Sequence, residues 1–224
     1  MNICTAKCLV HYETLWTFEL TYPRYIHSEF MTHRMFSRNA SSSRAIPVNK
    51  VIEQVDSKPV VPTEVYMNKA GMVGDVEAPI DVATDFYNLW LDAARNAVET
   101  AKCMEKLGIH KQHINRILEP FQFIKVIVTA TEWYNFFALR LAPDAQPEIR
   151  QLARVIYDEM DRYRNKEVGV LEVSIPRKDC PDIFARMGAD KVHTIVSLPY
   201  ITDEDIKKIG KDNYRQLMKI SAAR

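Results

Sequence analysis

The chain has 224 residues, of which 47% are hydrophobic and 26% charged, with a formal net charge of +1. This balance is that of an ordinary globular protein, and a chain of this length buries roughly 70% of its extended surface, enough for one real core. It excludes a global electrostatic pull toward nucleic acid or anionic membrane, so any anion site must be local. No apolar run approaches the roughly 18 residues of a membrane-spanning helix. The opening MNICTAKCLVHYETLW lacks a basic stretch followed by an apolar one, as a signal peptide would have. Cytoplasmic residence is the expectation.

The residues from Ala6 to Tyr12 and from Leu15 to Leu20 are rich in β-branched and aromatic side chains and read as strands. Pro23 suits the first turn of a helix, and Tyr25, Ile26, Phe30, Met31 and Arg34 follow at near-helical spacing. FSRNASSSRA interrupts that periodicity with residues that favour caps and turns. Regular structure resumes over Asn49 to Val55, and 57–80 is loop-rich, punctuated by Pro59, Pro62 and Pro79.

The clearest helix runs from Ile80 to about Leu107, with Phe86, Leu89, Trp90, Ala93, Ala97 and Ala101 as its apolar stripe and Gly108 as its stop. FQFIKVIVTAT, after Pro120, reads as a strand and WYNFFALRL as a short helix. Pro147 opens another helix with Ile149, Leu152, Val155, Ile156 and Met160 on one face, and VHTIVSLP reads as a late strand. The fold class is mixed α/β, with a central antiparallel or mixed sheet and long helices. One domain over 1–224 is expected, and a missing C-terminal portion is left open.

Cys4, Cys8, Cys103 and Cys180 form no C-x-x-C pair. Cys4 and Cys8, with His11 nearby, lack a second ligand pair, so free thiols are the better reading than zinc, and no metal is expected.

Chemistry concentrates in His33, Arg34, Ser37, Asn39, Ser42 and Arg44. Two guanidiniums, an imidazole, an amide and hydroxyls within twelve residues can converge on one anion, arginine binding phosphate through two parallel hydrogen bonds. By itself this could also be a polar loop with surface arginines; the spacing favours a site. The pattern H-R-x-x-S-x-N-x-x-S-x-R resembles the R-H-R-x-x-S-x-N-x-x-S-x-R signature of the flavin-dependent thymidylate synthases. A second block has Asn135, Phe136, Phe137, Leu139 and Arg140, then Ala145, Gln146, Glu148, Ile149 and Arg150. It is similar to the family's N-F-L-x-L-R followed by A-Q-x-E-I-R. Asn115-Arg116-Ile117-Leu118-Glu119-Pro120 resembles its A-R-x-x-L-P.

The resemblance implies an enzyme that reductively methylates dUMP to dTMP with methylenetetrahydrofolate, FAD and NADPH, acting as a homotetramer whose active sites draw on several subunits. It places His33, Arg34, Asn39 and Asn135 at the flavin, and Ser42, Ser43, Arg44 and Arg116 at the nucleotide. Arg140 would stabilise charge on the pyrimidine, with Ser42 beside it as the second catalytic candidate. The family uses no cysteine nucleophile, and Cys180 has no activating base in sequence.

Three departures matter. Thr32 replaces the first arginine of the signature, and Glu29, a further candidate at the nucleotide, stands where the family has Gln. The family's H-x-x-P-x-E-H segment, normally upstream of the signature with an S-x-A-R-x-x-x-S-Y stretch, is absent there. Lys219-Ile220-Ser221-Ala222-Ala223-Arg224 instead resembles the opening of that stretch, as in a permuted order. A second polypeptide or a C-terminal extension would then supply the rest. The alternatives are a variant that hydroxymethylates dUMP or dCMP, and a non-catalytic module that binds nucleotide or, with less support, nucleic acid.

Overall fold

A computed structural model describes residues 3–12, 14–70, 74 and 76–164. The late VHTIVSLP strand, Cys180 and the 219–224 stretch lie outside the described residues. Strands β1 (Thr5–Tyr12) and β2 (Leu15–Pro23) form a hairpin. A 3-10 turn over Arg24–Ile26 leads into α1 (His27–Met31), then β3 (Ser37–Ala40) and α2 (Val48–Ser57). The long α3 (Ile80–Lys106) is followed by α4 (Lys111–Leu118), a second 3-10 turn (Glu119–Phe121), β4 (Phe123–Ala130), α5 (Tyr134–Arg140) and α6 (Pro147–Arg164). The sheet is antiparallel throughout, in the order β1-β2-β4-β3.

Alternation along β2 builds the main core. Trp16, Phe18, Leu20 and Tyr22 are buried on one face, opposite Ala130, Val128, Val126 and Ile124 of β4. Between them Thr17 and Thr129, a directly opposed pair, share a hydrogen bond between hydroxyls of 2.9 Å. Ile149, Leu152, Ile156 and Met160 of α6 recur at helical spacing and close over this layer with Phe136 of α5. A separate core lies among α2, α3 and α4, where Val51, Val55, Ala94, Val98, Ala101, Ile114 and Leu118 pack with Phe121.

Two expectations from the sequence are corrected. SRNA is a strand, not turn-like loop: Ser37 to Ala40 pair with Thr129 to Val126 on the outer edge of β4. The backbone ladder outweighs the local bonding preference of Ser and Asn, because pairing satisfies the peptide groups that face the otherwise open edge of β4. The turn begins only afterwards, where Ala45 N–H donates to the Ser42 carbonyl.

The buried stripe of α3 also differs from the expected one in part. Trp90, Ala97 and Ala101 of the expected stripe do pack on the α2–α4 core, but Leu89 is 69% exposed and Ala93 is exposed, and Ala94 and Val98 are buried in their place. Its end matches expectation. Gly108 has φ 74°, its N–H donates to the Glu105 carbonyl at 2.9 Å, and Ile109 N–H donates to Met104 at 3.1 Å. This is the paired-bond helix stop that glycine permits.

Phe18, fully buried and edge-on to Trp133 at 5.3 Å between centroids, anchors the sheet against the start of α5. Phe18→Ala should lower unfolding stability by about 3–5 kcal/mol in a denaturant titration. A loss below about 1 kcal/mol would mean that this layer is not the core.

Candidate active site

The site forms where α1 ends, and two buried residues fix that end. Phe30 is fully buried and contacts Tyr22, Phe36 and Phe136. His33 N–H donates back to the Phe30 carbonyl, and Phe36 N–H to the His33 carbonyl, so the chain turns tightly around the imidazole. Arg38 of β3 also donates to the His33 carbonyl. His33 is only 7% exposed, with its ring edge-on to Phe136 at 4.9 Å.

Arg140, the last residue of α5, completes the pair. Its Nε–H donates to His33 Nε2 at 2.9 Å, and its Nη2 donates to Thr32 Oγ1 at 3.4 Å. Thr32 in turn donates its hydroxyl hydrogen to the Glu29 carbonyl at 2.6 Å. Because a guanidinium has no acceptor, His33 must present an unprotonated Nε2 and carry its proton on Nδ1. Burial, then the Arg140 and Arg38 charges, push the His33 pKa down to about 4, which keeps the ring neutral at pH 7. Glu29 is half-buried. Burial raises its pKa while Arg140 opposes that rise, and its Oε2 has no hydrogen-bond partner among the described residues.

A cavity of about 440 Å³ opens on this pair, lined by Thr32, His33, Arg34, Asn135, Phe136 and Arg140 among others. A larger one of about 680 Å³ adjoins it. The two share Glu132 and Tyr134, and Trp16, Trp133, Phe137 and Tyr157 give the larger one aromatic walls. Such concave, mostly apolar spaces with a few polar groups are what flat heteroaromatic ligands occupy.

Of the residues singled out in sequence, His33, Arg34, Asn135 and Arg140 therefore meet at one cavity, with Glu29 about one turn before Thr32. Asn39 and Ser42 are exposed and line neither cavity, and Arg44 is likewise exposed. Ser43 and Arg116 belong to a second cluster around Glu119. The Glu119 carboxylate accepts from Ser43 Oγ at 2.7 Å, from Arg116 at 3.1 and 3.3 Å, and from Arg24 at 3.2 Å. Asn115 Nδ2 fixes the Ser43 turn by donating to the carbonyls of Ser43 at 2.7 Å and Ile46 at 3.0 Å. Sequence reasoning missed Arg24, Arg38 and Glu119. One signal was present: Glu119 stands where the A-R-x-x-L-P pattern has leucine.

Cys4 and Cys8 are buried, and burial pushes both thiols up to about 12. His11 stacks on Trp16 at 3.6 Å. No group of three or more metal-ligating side chains occurs among the described residues, and no helix among them is long and apolar enough to cross a membrane.

Fold and site together define a mixed α/β protein with a neutral histidine beside an arginine at one cavity and an arginine cluster elsewhere on the same chain. The chain belongs to the thymidylate synthase complementing protein family, whose model matches residues 13–163. It is similar to a flavin-dependent thymidylate synthase of Pyrococcus abyssi (strain GE5 / Orsay), with 28% identity over 134 residues, or 59% of this chain and 48% of the relative. The chain thus spans about half the length of that curated relative.

Two crystal structures of a UMP/dUMP methylase, PolB from Streptomyces cacaoi, share the fold. The one bound with 5-Br UMP has a TM-score of 0.55 at 19% identity, covering 66% of this chain and 69% of that one. The one bound with 5-Br dUMP has 0.51 at 20%, covering 68% and 67%.

The depressed His33 pKa has a consequence for stability. Between about pH 6.5 and pH 4 the unfolded chain binds a proton that the folded chain refuses. This contribution is present above pH 6.5 and is lost as pH falls through 4. Melting temperature measured across that window should fall less steeply for His33→Gln than for the unmodified chain. Identical slopes would mean that His33 is not held neutral.

Proposed function

We propose that the chain takes part in flavin-dependent methylation of dUMP to dTMP, with methylenetetrahydrofolate as carbon donor and NADPH as reductant of FAD. The observation that carries this reading is the contact of Arg140 with neutral His33 at the cavity. An arginine restrained by two neutral acceptors keeps its full positive charge and a fixed orientation. That is the requirement for stabilising negative charge that develops on a pyrimidine ring during attack. Three of its five N–H groups remain for a ligand once His33 and Thr32 have taken two.

The residues at the two cavities fit a flavin. Asn135 and Arg34 offer donors at the smaller one, and the aromatic walls of the larger offer faces for flat rings. His33, Arg34 and Asn135 would hold FAD, which when bound supplies the hydride, and Asn39, exposed and outside both cavities, would reach it only in a site shared between copies. His33 fixes Arg140, and Arg140 holds the pyrimidine. Ser42, Ser43, Arg44 and Arg116 bind the nucleotide, with Arg116 at its phosphate. Ser42 and Arg44, exposed in the single subunit, would serve a site shared between copies of a homotetramer. Buried thiols at Cys4 and Cys8 are poor nucleophiles, in keeping with a route that uses no enzyme cysteine.

The test is an assay of dTMP formation from dUMP, methylenetetrahydrofolate, NADPH and FAD, with UMP and dCMP as parallel substrates. It is run with the chain alone and with a separately encoded polypeptide bearing H-x-x-P-x-E-H. Activity is expected in the mixture. In whichever sample is active, Arg140→Ala should reduce turnover by about 10²–10³-fold with little change in melting temperature. Normal turnover by that variant would remove Arg140 from the chemistry. Failure of the folded chain to quench FAD fluorescence at any accessible concentration would contradict the flavin assignment.

A further inference from the structure

Glu119 is held as a bound anion would be. Its half-buried carboxylate receives hydrogen bonds from three separate parts of the chain: Arg24 just after β2, Ser43 in the turn after β3, and Arg116 on α4. Ser43 is only 2% exposed, and Asn115 fixes its turn from behind. Two guanidiniums and a rigid hydroxyl make a donor set for a phosphate monoester. A cavity of about 420 Å³ opens on it, lined by Arg24, His27, Ser28, Arg116 and Glu119. Burial and the Arg24 and Arg38 charges lower the His27 pKa, so it adds no charge near neutrality. Two arginines against one carboxylate leave one net positive charge.

We propose that Glu119 is a built-in counter-anion which an incoming nucleotide 5′-phosphate displaces, and that Arg24 is therefore a phosphate-binding residue alongside Arg116. The proposal rests on the reading that Arg116 meets the nucleotide phosphate, and it adds Arg24 and a competition. A partly exposed carboxylate–arginine pair is weak. A phosphate monoester carries about −1.5 to −2 charges at pH 7, so it wins the shared donors. Each nucleotide bound must nevertheless release Glu119, which lowers affinity for every phosphate-bearing ligand and for no ligand without one.

The experiment is calorimetric titration of the folded chain with dUMP, with deoxyuridine and with inorganic phosphate. Arg24→Ala should weaken dUMP and phosphate binding by about tenfold, the loss of one charge-assisted bond, and leave deoxyuridine unchanged. Glu119→Gln should act in the opposite direction and tighten both by about two- to fivefold. Glu119→Leu, which restores the residue of the family pattern, should give the same sign, and melting curves establish that each variant is folded. Weaker or unchanged phosphate binding in both folded Glu119 variants would mean that the carboxylate only orients the arginines, and would overturn the competition. An unchanged Arg24→Ala would remove Arg24 from the site. If inorganic phosphate follows the expected signs while dUMP does not bind, the anion site stands and the nucleotide reading fails. If neither binds, both fail.

Discussion

The site depends on one hydrogen bond, from Arg140 Nε to His33 Nε2 at 2.9 Å. It joins the end of α5 to the end of α1, and it exists only while the imidazole is neutral. Burial supplies that neutrality. The ring lies edge-on to Phe136 beneath the turn that Phe30 and Phe36 anchor, and two nearby arginines further disfavour its protonation. The aromatic core thus does more than stabilise the fold. It sets the protonation state of the residue that aims the arginine.

The two arginine groups on this chain are restrained in opposite ways. Arg140 is hydrogen-bonded to neutral partners, with the Glu29 carboxylate close enough to interact with its charge. Arg24 and Arg116 share a carboxylate and have theirs partly cancelled until something stronger arrives. Thr32 belongs to the first arrangement. An arginine at that position, as in the family signature, could not accept the Arg140 N–H, whereas the Thr32 hydroxyl accepts it and passes its own hydrogen to Glu29. The departure removes one cation from the signature and adds one acceptor.

Much of this was legible in the sequence. β-Branched and aromatic content marked β2 and β4, helical spacing and a terminal proline marked α6, and Gly108 marked the end of α3. Of the signature H-R-x-x-S-x-N-x-x-S-x-R, His33 and Arg34 meet Asn135 and Arg140 at one cavity although 107 positions separate His33 from Arg140, while Asn39, Ser42 and Arg44 lie outside it. The strand character of Ser37–Ala40 was hidden because its polar side chains favour turns, and only the open edge of β4 makes pairing preferable. The burial of Ala94 and Val98 in place of Leu89 and Ala93 was hidden because apolar residues lie on more than one side of α3. Arg24 escaped because nothing local distinguishes it, and its partner is 95 residues away.

The central claim is that Arg140, held by His33, meets the pyrimidine ring while the Glu119 cluster meets the phosphate. The most direct measurement is a crystal structure of the folded chain with 5-bromo-dUMP, locating bromine by its anomalous scattering. The account predicts a bromine peak in the cavity bounded by His33, Phe136 and Arg140, with phosphate density at Arg24 and Arg116 of the same or a neighbouring copy. Bromine bound elsewhere, with the Arg140–His33 pair facing solvent, would contradict it.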